Sequence, residues 1–189
     1  MKNLVKFIVA AICFASTVSA SAVEIKGVKV DETAQVGGSA LVLNGAGVRT
    51  KMVFKVYVAA LYLTQKQTDA NAVISDTGNK RVSMHMLREL SAEKLLHALD
   101  EGFEANNSAA EMTAIDSQIK AFRQMMSSAK AVKEGDVILL DYTSAGTSVN
   151  LNGKALGNVE GSAFNQALLR VWLGAKPVDA ALKKAMLGQ

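Results

Sequence analysis

The 189-residue sequence predicts an α+β fold, a largely antiparallel sheet with helices packed on one face. Three observations carry that reading. Strand-like segments fill the first half, two amphipathic helices then follow one another, and a hairpin signal precedes the remaining helices. The regular strand-helix alternation of a doubly wound parallel sheet is missing. The sequence shows no internal repeat, and a chain half hydrophobic with one proline, Pro177, has neither linker nor low-complexity composition.

The first element reads as a leader. Lys2 and Lys6 supply the positive start, Phe7 to Val18 is an apolar run broken only by Ser16 and Thr17, and Val18-Ser19-Ala20-Ser21-Ala22 is a small-residue exit. The run is shorter than the roughly 20 apolar residues a bilayer-spanning helix needs. The expected organisation is a cleavable signal over 1–22 and a single domain over 23–189, with a periplasmic or secreted product after cleavage near Ala22 and no stable membrane anchor. Cys13, the only cysteine, leaves with the leader, and Ile12 before it does not fit a lipoprotein signal. The mature chain then has no disulfide, thiolate metal site or cysteine nucleophile.

Val23 to Val30 alternates around Gly27 as a strand, and Ala40 to Leu43 is a second strand ending at the turn dipeptide Asn44-Gly45. Met52 to Leu63, rich in β-branched and aromatic residues, has the pattern of a strand buried on both faces. Lys80 to Leu87 puts Val82, Met84 and Met86 on one face and Ser83, His85 and Leu87 on the other. Ser91 is placed as the N-cap of a helix carrying Leu95, Leu99, Gly102 and Phe103. Ser108 to Glu111 matches a capping box, after which Met112, Ile115, Ile119, Phe122 and Met126 keep helical spacing. Strands return at Val137 to Tyr142 and Thr147 to Leu151, the latter turning at Asn152-Gly153. A helix with Phe164, Leu168, Val171 and Trp172 stops at Gly174, and a short one follows Pro177.

Several function classes lose support. Removing Lys2 and Lys6 with the leader lowers the formal charge from +4 to +2, and no Lys/Arg run compensates, so nucleic acid is not an expected partner. Gly45-Ala46-Gly47 begins like a dinucleotide loop but leads into a strand. His85 and His97 sit on different elements. His97 has Glu93 and Glu101 a turn to either side, the pattern of a solvated face, and nothing completes a metal site. No metal or other cofactor is expected. Asn106-Asn107-Ser108 fits a glycosylation acceptor, and the methionines at 84, 86, 112, 125 and 126 read as core with an adaptable lining.

Arg49 and Tyr57 stand apart, a cation just before the most hydrophobic strand and a phenol within it. An unpaired buried guanidinium costs several kcal/mol, on the order of 3 to 5. Arg49 therefore faces water at a strand end, pairs with an internal acid such as Asp141, or awaits an anionic partner.

Leu43-Asn44-Gly45-Ala46-Gly47-Val48-Arg49-Thr50, then Phe54 through Leu63, then Arg88-Glu89-Leu90-Ser91 and the closing run from Asn158 to Gly174 resemble, in sequence and order, the chalcone isomerase-like family. The resemblance covers nearly all of the mature chain. It implies an open-faced β-sandwich, a long antiparallel sheet under a helical layer with an apolar cleft between them. The family includes plant isomerases that close a chalcone to a flavanone, plastid fatty-acid-binding proteins, and exported bacterial members. In the isomerases an arginine polarises the substrate, assisted by a strand threonine, a helix tyrosine and asparagine, and a late threonine or serine. Arg49 matches the arginine, while the other positions fall at Tyr57, Leu95, Gly102 and Val171. A site without those hydrogen-bonding groups loses the electrostatic stabilisation that isomerisation requires.

The fatty-acid-binding members carry the arginine with a tyrosine at the strand position, as Arg49 and Tyr57 do here. A guanidinium fork and a phenol can share the two oxygens of a carboxylate, and Leu95, Leu99, Val171 and Trp172 would wall the tail. The reading is an exported, non-catalytic binder of a fatty acid or similar amphiphilic carboxylate, with Arg49 and Tyr57 as its clamp. The competing readings are an isomerase or lyase in which Arg49 stabilises an oxyanion, and a ligand-free envelope protein.

Overall fold

The computed structural model describes residues 22–189, so all of the leader but Ala22, together with Cys13, lies outside the described residues. The described residues start with β1 (Ala22–Ile25) and β2 (Val28–Asp31), a separate hairpin rather than the single strand the alternation suggests. Its two-residue turn, Lys26-Gly27, has positive φ at both positions (54° and 78°), the type I′ geometry whose twist matches paired strands.

A seven-stranded antiparallel sheet follows, built from β3 (Thr33–Val36), β4 (Ser39–Lys51), β5 (Phe54–Leu63), β6 (Lys80–Met86), β9 (Val137–Thr143), β10 (Gly146–Leu151) and β11 (Lys154–Val159), and α1 (Ala70–Ser75) precedes β6. Its order is β11-β10-β9-β6-β5-β4-β3. The short pair β7 (Leu90–Ser91) and β8 (Ala131–Val132) brackets α2 (Ala92–Asn106), α3 (Ala109–Ala114) and α4 (Asp116–Ser127), while α5 (Ser162–Leu173) and α6 (Ala180–Met186) close the chain. The architecture is the α+β sheet-and-helix arrangement expected. β5 is buried on both faces from Val56 onward. Tyr57, Ala59, Leu61 and Leu63 join the large core under the helices, whereas Val58, Ala60 and Tyr62 join a smaller core with Val30, Val36 and Leu41. The sheet thus carries helices on one face and is partly covered on the other by the β1–β2 hairpin.

Local signals hold where they act locally. The Ser91 hydroxyl accepts from the Lys94 N–H, and Ser108 and Glu111 form a reciprocal capping box. Asn152-Gly153 is the two-residue turn between β10 and β11. The expected helix beyond Ser108 is broken: Ile115, buried with φ −114° and ψ 15°, ends α3 and precedes α4.

Asn44-Gly45 is not a turn. It is a bulge inside β4, which runs on for thirteen residues. The Asn44 side chain is spent on tertiary bonds, donating to the Gln67 and Met186 carbonyls and accepting from the Gln67 N–H (2.9, 2.8 and 2.7 Å). The actual reversal is Met52-Val53, so the strand read from Met52 begins at Phe54. Gly45 and Gly47 make a seat for α6: a Cβ on Gly45 would fall 2.0 Å from the Ala185 carbonyl oxygen, and one on Gly47 2.6 Å from the Ala185 Cβ. The Gly-Ala-Gly segment is a helix-packing surface.

Candidate functional site

Antiparallel register sets Arg49 of β4 directly opposite Tyr57 of β5, next to a bulge between Arg49 and Thr50. Both side chains enter the large core beneath α2 and α5. Arg49 is 6% exposed and Tyr57 2%. The guanidinium carbon lies 5.5 Å from the centre of the Tyr57 ring, in cation–π range. From α5 the Trp172 Nε1–H donates to the Tyr57 Oη at 3.0 Å.

Counting donors and acceptors defines the corner. Arg49 and Trp172 only donate, and the single hydroxyl oxygen between them serves both. The buried Arg49 Nε has no hydrogen-bond partner. The expected alternative of an internal acid fails, because Asp141 is bound by Arg81, its partner across β6 and β9, through Nε and an Nη at 2.5 and 2.7 Å. Glu160 is exposed, and among the described residues no carboxylate forms an ion pair with Arg49. Asp179 lies close enough to act on Tyr57, but its two oxygens accept from the N–H groups of Ala181 and Leu182 and of Thr50. Burial pushes the Tyr57 phenol above its usual value of 10.0, against the opposing pull of Arg49. Tyr57 is consequently a neutral hydroxyl at any ordinary pH. The corner is positive, rich in donors, and short of one acceptor.

Behind it lies an apolar cavity of about 30 Å³. Arg49, Tyr57, Leu95, Leu99, Val171 and Trp172, the six residues singled out in the sequence, all line it. The rest of the wall was not foreseen as site: Met84, Ile138 and Leu140 come from the sheet, Leu96, Ala98, Phe122 and Met126 from α2 and α4, and Val178 from the loop before α6. The period-two alternation of β6 and β9 and the helical spacing of Phe122 and Met126 carried that information as core positions. The expected apolar cleft is narrow, with a volume equal to no more than a water or two. Gly102 contributes by contact: a Cβ there would lie 2.8 Å from a Val171 methyl carbon, so a residue with no side chain lets α2 and α5 close above the cavity.

Arg49 also lines a wider groove of about 790 Å³, shared with Lys51, Met52, Phe54, Val56, Arg88 and the start of α2. It sits where groove and cavity meet.

The other candidates resolve into structure. His97 is exposed beside Glu101 at 3.5 Å. Asn106 is held by the Gly102 and Lys176 carbonyls and the Lys176 N–H, so the possible glycosylation asparagine stitches the end of α2 to the loop before α6. Among the described residues no group of three His, Cys, Asp or Glu is placed to hold a metal ion, and no helix is long and apolar enough to cross a membrane. Chemically the corner can hold a carboxylate or polarise an oxyanion. Among the described residues Arg49 and Tyr57 are the only ionisable groups in the cavity wall, and Tyr57, its phenol held above its usual value by burial, is no base near neutral pH.

Comparison with known families matches residues 22–188 to the model described as chalcone isomerase-like. The chain belongs to the chalcone isomerase-like family. No curated protein sequence matched it. Among solved structures, a fatty-acid-binding protein of Arabidopsis thaliana superposes with a TM-score of 0.67 at 15% identity, covering 88% of this chain and 96% of the other. At that identity the likeness is one of fold. The curled seven-stranded antiparallel sheet under helices is the chalcone isomerase-like architecture.

Proposed function

We propose that this family member is an exported binding protein for a fatty acid or similar amphiphilic carboxylate, with the carboxylate at Arg49 and Tyr57. The observation that carries the reading is the corner's missing acceptor: a buried guanidinium whose Nε has no partner, beside a phenol oxygen that Trp172 and Arg49 already share. A carboxylate brings two acceptor oxygens and one negative charge, which is the complement of that corner. The likeness to a protein named for binding fatty acids supports the same class. Drug-sized ligand sites are roughly 300 to 1,000 Å³, so a tail entering the 30 Å³ cavity must displace side chains. Met84 and Met126, unbranched and flexible, are the wall residues suited to move.

The small cavity is also the observation that favours a ligand-free envelope protein. One experiment separates the two. The protein is purified from its producing cells, denatured, and its extract analysed by mass spectrometry, while thermal unfolding of the stripped protein is followed with added long-chain acids. The binding reading expects a recovered carboxylic acid and a rise in unfolding temperature that grows with acid concentration. An empty extract with no thermal response would assign the fold to the ligand-free role.

A further inference from the structure

The β4–β5 hairpin ends in a tip unlike the other tight turns of the molecule. The Lys26-Gly27 and Asn152-Gly153 turns use polar residues and glycine, as positive φ demands. Met52-Val53 occupies the equivalent two-residue turn between Lys51 and Phe54, with Met52 forced to φ 57°. Its side chains go to solvent: Met52 is 88% exposed and Val53 83%, and Phe54 next to them is more than half exposed. Three apolar side chains at the end of a projecting hairpin serve neither turn geometry nor core. An exposed apolar cluster ringed by polar groups marks an interaction surface.

The ring is basic. Lys51 and Lys55 flank the tip, and the Arg88 guanidinium lies over the Phe54 ring at 4.6 Å. Lys94 of α2 faces the same groove, where Glu89 and Glu93 are the carboxylates. On the far side the Lys26 ammonium of the β1–β2 turn crowds Lys55 and lowers its pKa. Five cations, against Glu89 and Glu93 in the groove and Asp179 on the Thr50 N–H, surround three exposed hydrophobic side chains.

We infer that the Met52-Val53-Phe54 tip and its basic ring form a docking finger for an anionic lipid surface. Apolar side chains enter the headgroup boundary while Lys and Arg meet lipid phosphates, the two contributions by which peripheral proteins hold membranes. The finger supplies contact without a span. Met52 and Phe54 also wall the groove that leads to Arg49, so docking turns that groove towards the lipid.

The test is flotation of the full chain with phosphatidylcholine vesicles, with and without phosphatidylglycerol. Wild-type and variants share residues 1–21, so differences between them belong to the finger. Val53→Asp and the pair Lys26→Gln/Lys55→Gln alter exposed positions that line neither groove nor cavity, and thermal unfolding checks that each variant folds. Wild type is expected to float with phosphatidylglycerol vesicles and to detach as salt rises. Val53→Asp should weaken binding roughly tenfold or more, and the lysine pair should weaken it by a similar factor and flatten its salt dependence. Equal flotation of wild-type and folded variants would overturn the inference, as would wild-type binding that ignores phosphatidylglycerol. If Val53→Asp instead dissociates a dimer that floats with neither vesicle, the surface belongs to a second copy of the chain. Acid binding in solution is measured separately, so failure of one assignment does not carry the other.

Discussion

At the start of β6, Lys80 is 2% exposed, and its ammonium has an acceptor for each proton: the Asp76 and Gly78 carbonyls at 2.5 and 2.8 Å and the Asp76 carboxylate at 3.0 Å. Arg49 is nearly as buried, yet its Nε has no partner, and its polar neighbour is a neutral phenol against an apolar wall. Both cations have left water. Only one has been given what it lost. A buried charge kept for stability is saturated by its own chain; under the proposed function Arg49 instead keeps an open donor for a carboxylate, at a cost in stability.

The sharpest way to break this contrast is to replace each cation by methionine. Arg49→Met should weaken carboxylate binding by about 2 to 5 kcal/mol in calorimetry while leaving unfolding stability unchanged or raised, since an uncompensated buried charge is gone. Lys80→Met should do the opposite, costing about 1 to 3 kcal/mol in urea unfolding because two carbonyls lose their donor, with acid binding intact. Equal stability losses at the two sites would make Arg49 a structural cation and end the distinction.

Tyr57→Phe tests the shared oxygen. It removes one donor to the ligand and strands the buried Trp172 N–H, so a stability loss of about 1 to 3 kcal/mol is expected together with weaker acid binding. Trp172 is the chain's only tryptophan, so its fluorescence reports this corner directly. An unchanged emission spectrum and an unchanged denaturation midpoint would show that the hydrogen bond matters little.

The smallest effect concerns a group that can shed its charge. His85 is half-buried on β6, and burial lowers its pKa below the ordinary 6.5, against a weaker pull from Asp31. The unfolded chain thus binds a proton more readily than the folded one. Stability should be complete above pH 6.5, decline as pH drops below it, and level off once the folded histidine is also protonated. His85→Gln should flatten that segment of the stability–pH curve, and a curve identical to wild type would remove His85 from the account.

Legibility followed the range of the interactions. Ser91, the Ser108–Glu111 box and Asn152-Gly153 act within four residues, and each was readable. Asn44-Gly45 carries the same local turn signal, but bonds to Gln67 and Met186, 23 and 142 positions away, override it. Arg49 and Tyr57 were visible as polar groups at an apolar strand, but that they and four apolar residues form a clamp and wall came from family resemblance, because neither strand periodicity nor composition says that Arg49 faces inward. The saturation of Lys80 was invisible too, since its acceptors are mainly backbone carbonyls and a sequence does not display where those point. The narrow cavity follows from Gly102 meeting Val171, a contact between helices that only packing reveals.

The seat that Gly45 and Gly47 offer to α6 also orders events in time. β4 leaves the ribosome well before its partners: the Met186 carbonyl that Asn44 needs and the Asp179 carboxylate that holds Thr50 lie 142 and 129 positions further along, with the Ala185 surface over the glycines between them. The strand that carries Arg49 cannot complete its contacts until α6 has been made. Until then the edge of β4 that receives α6 stays open, a delay that would suit the proposed export of an unfolded chain.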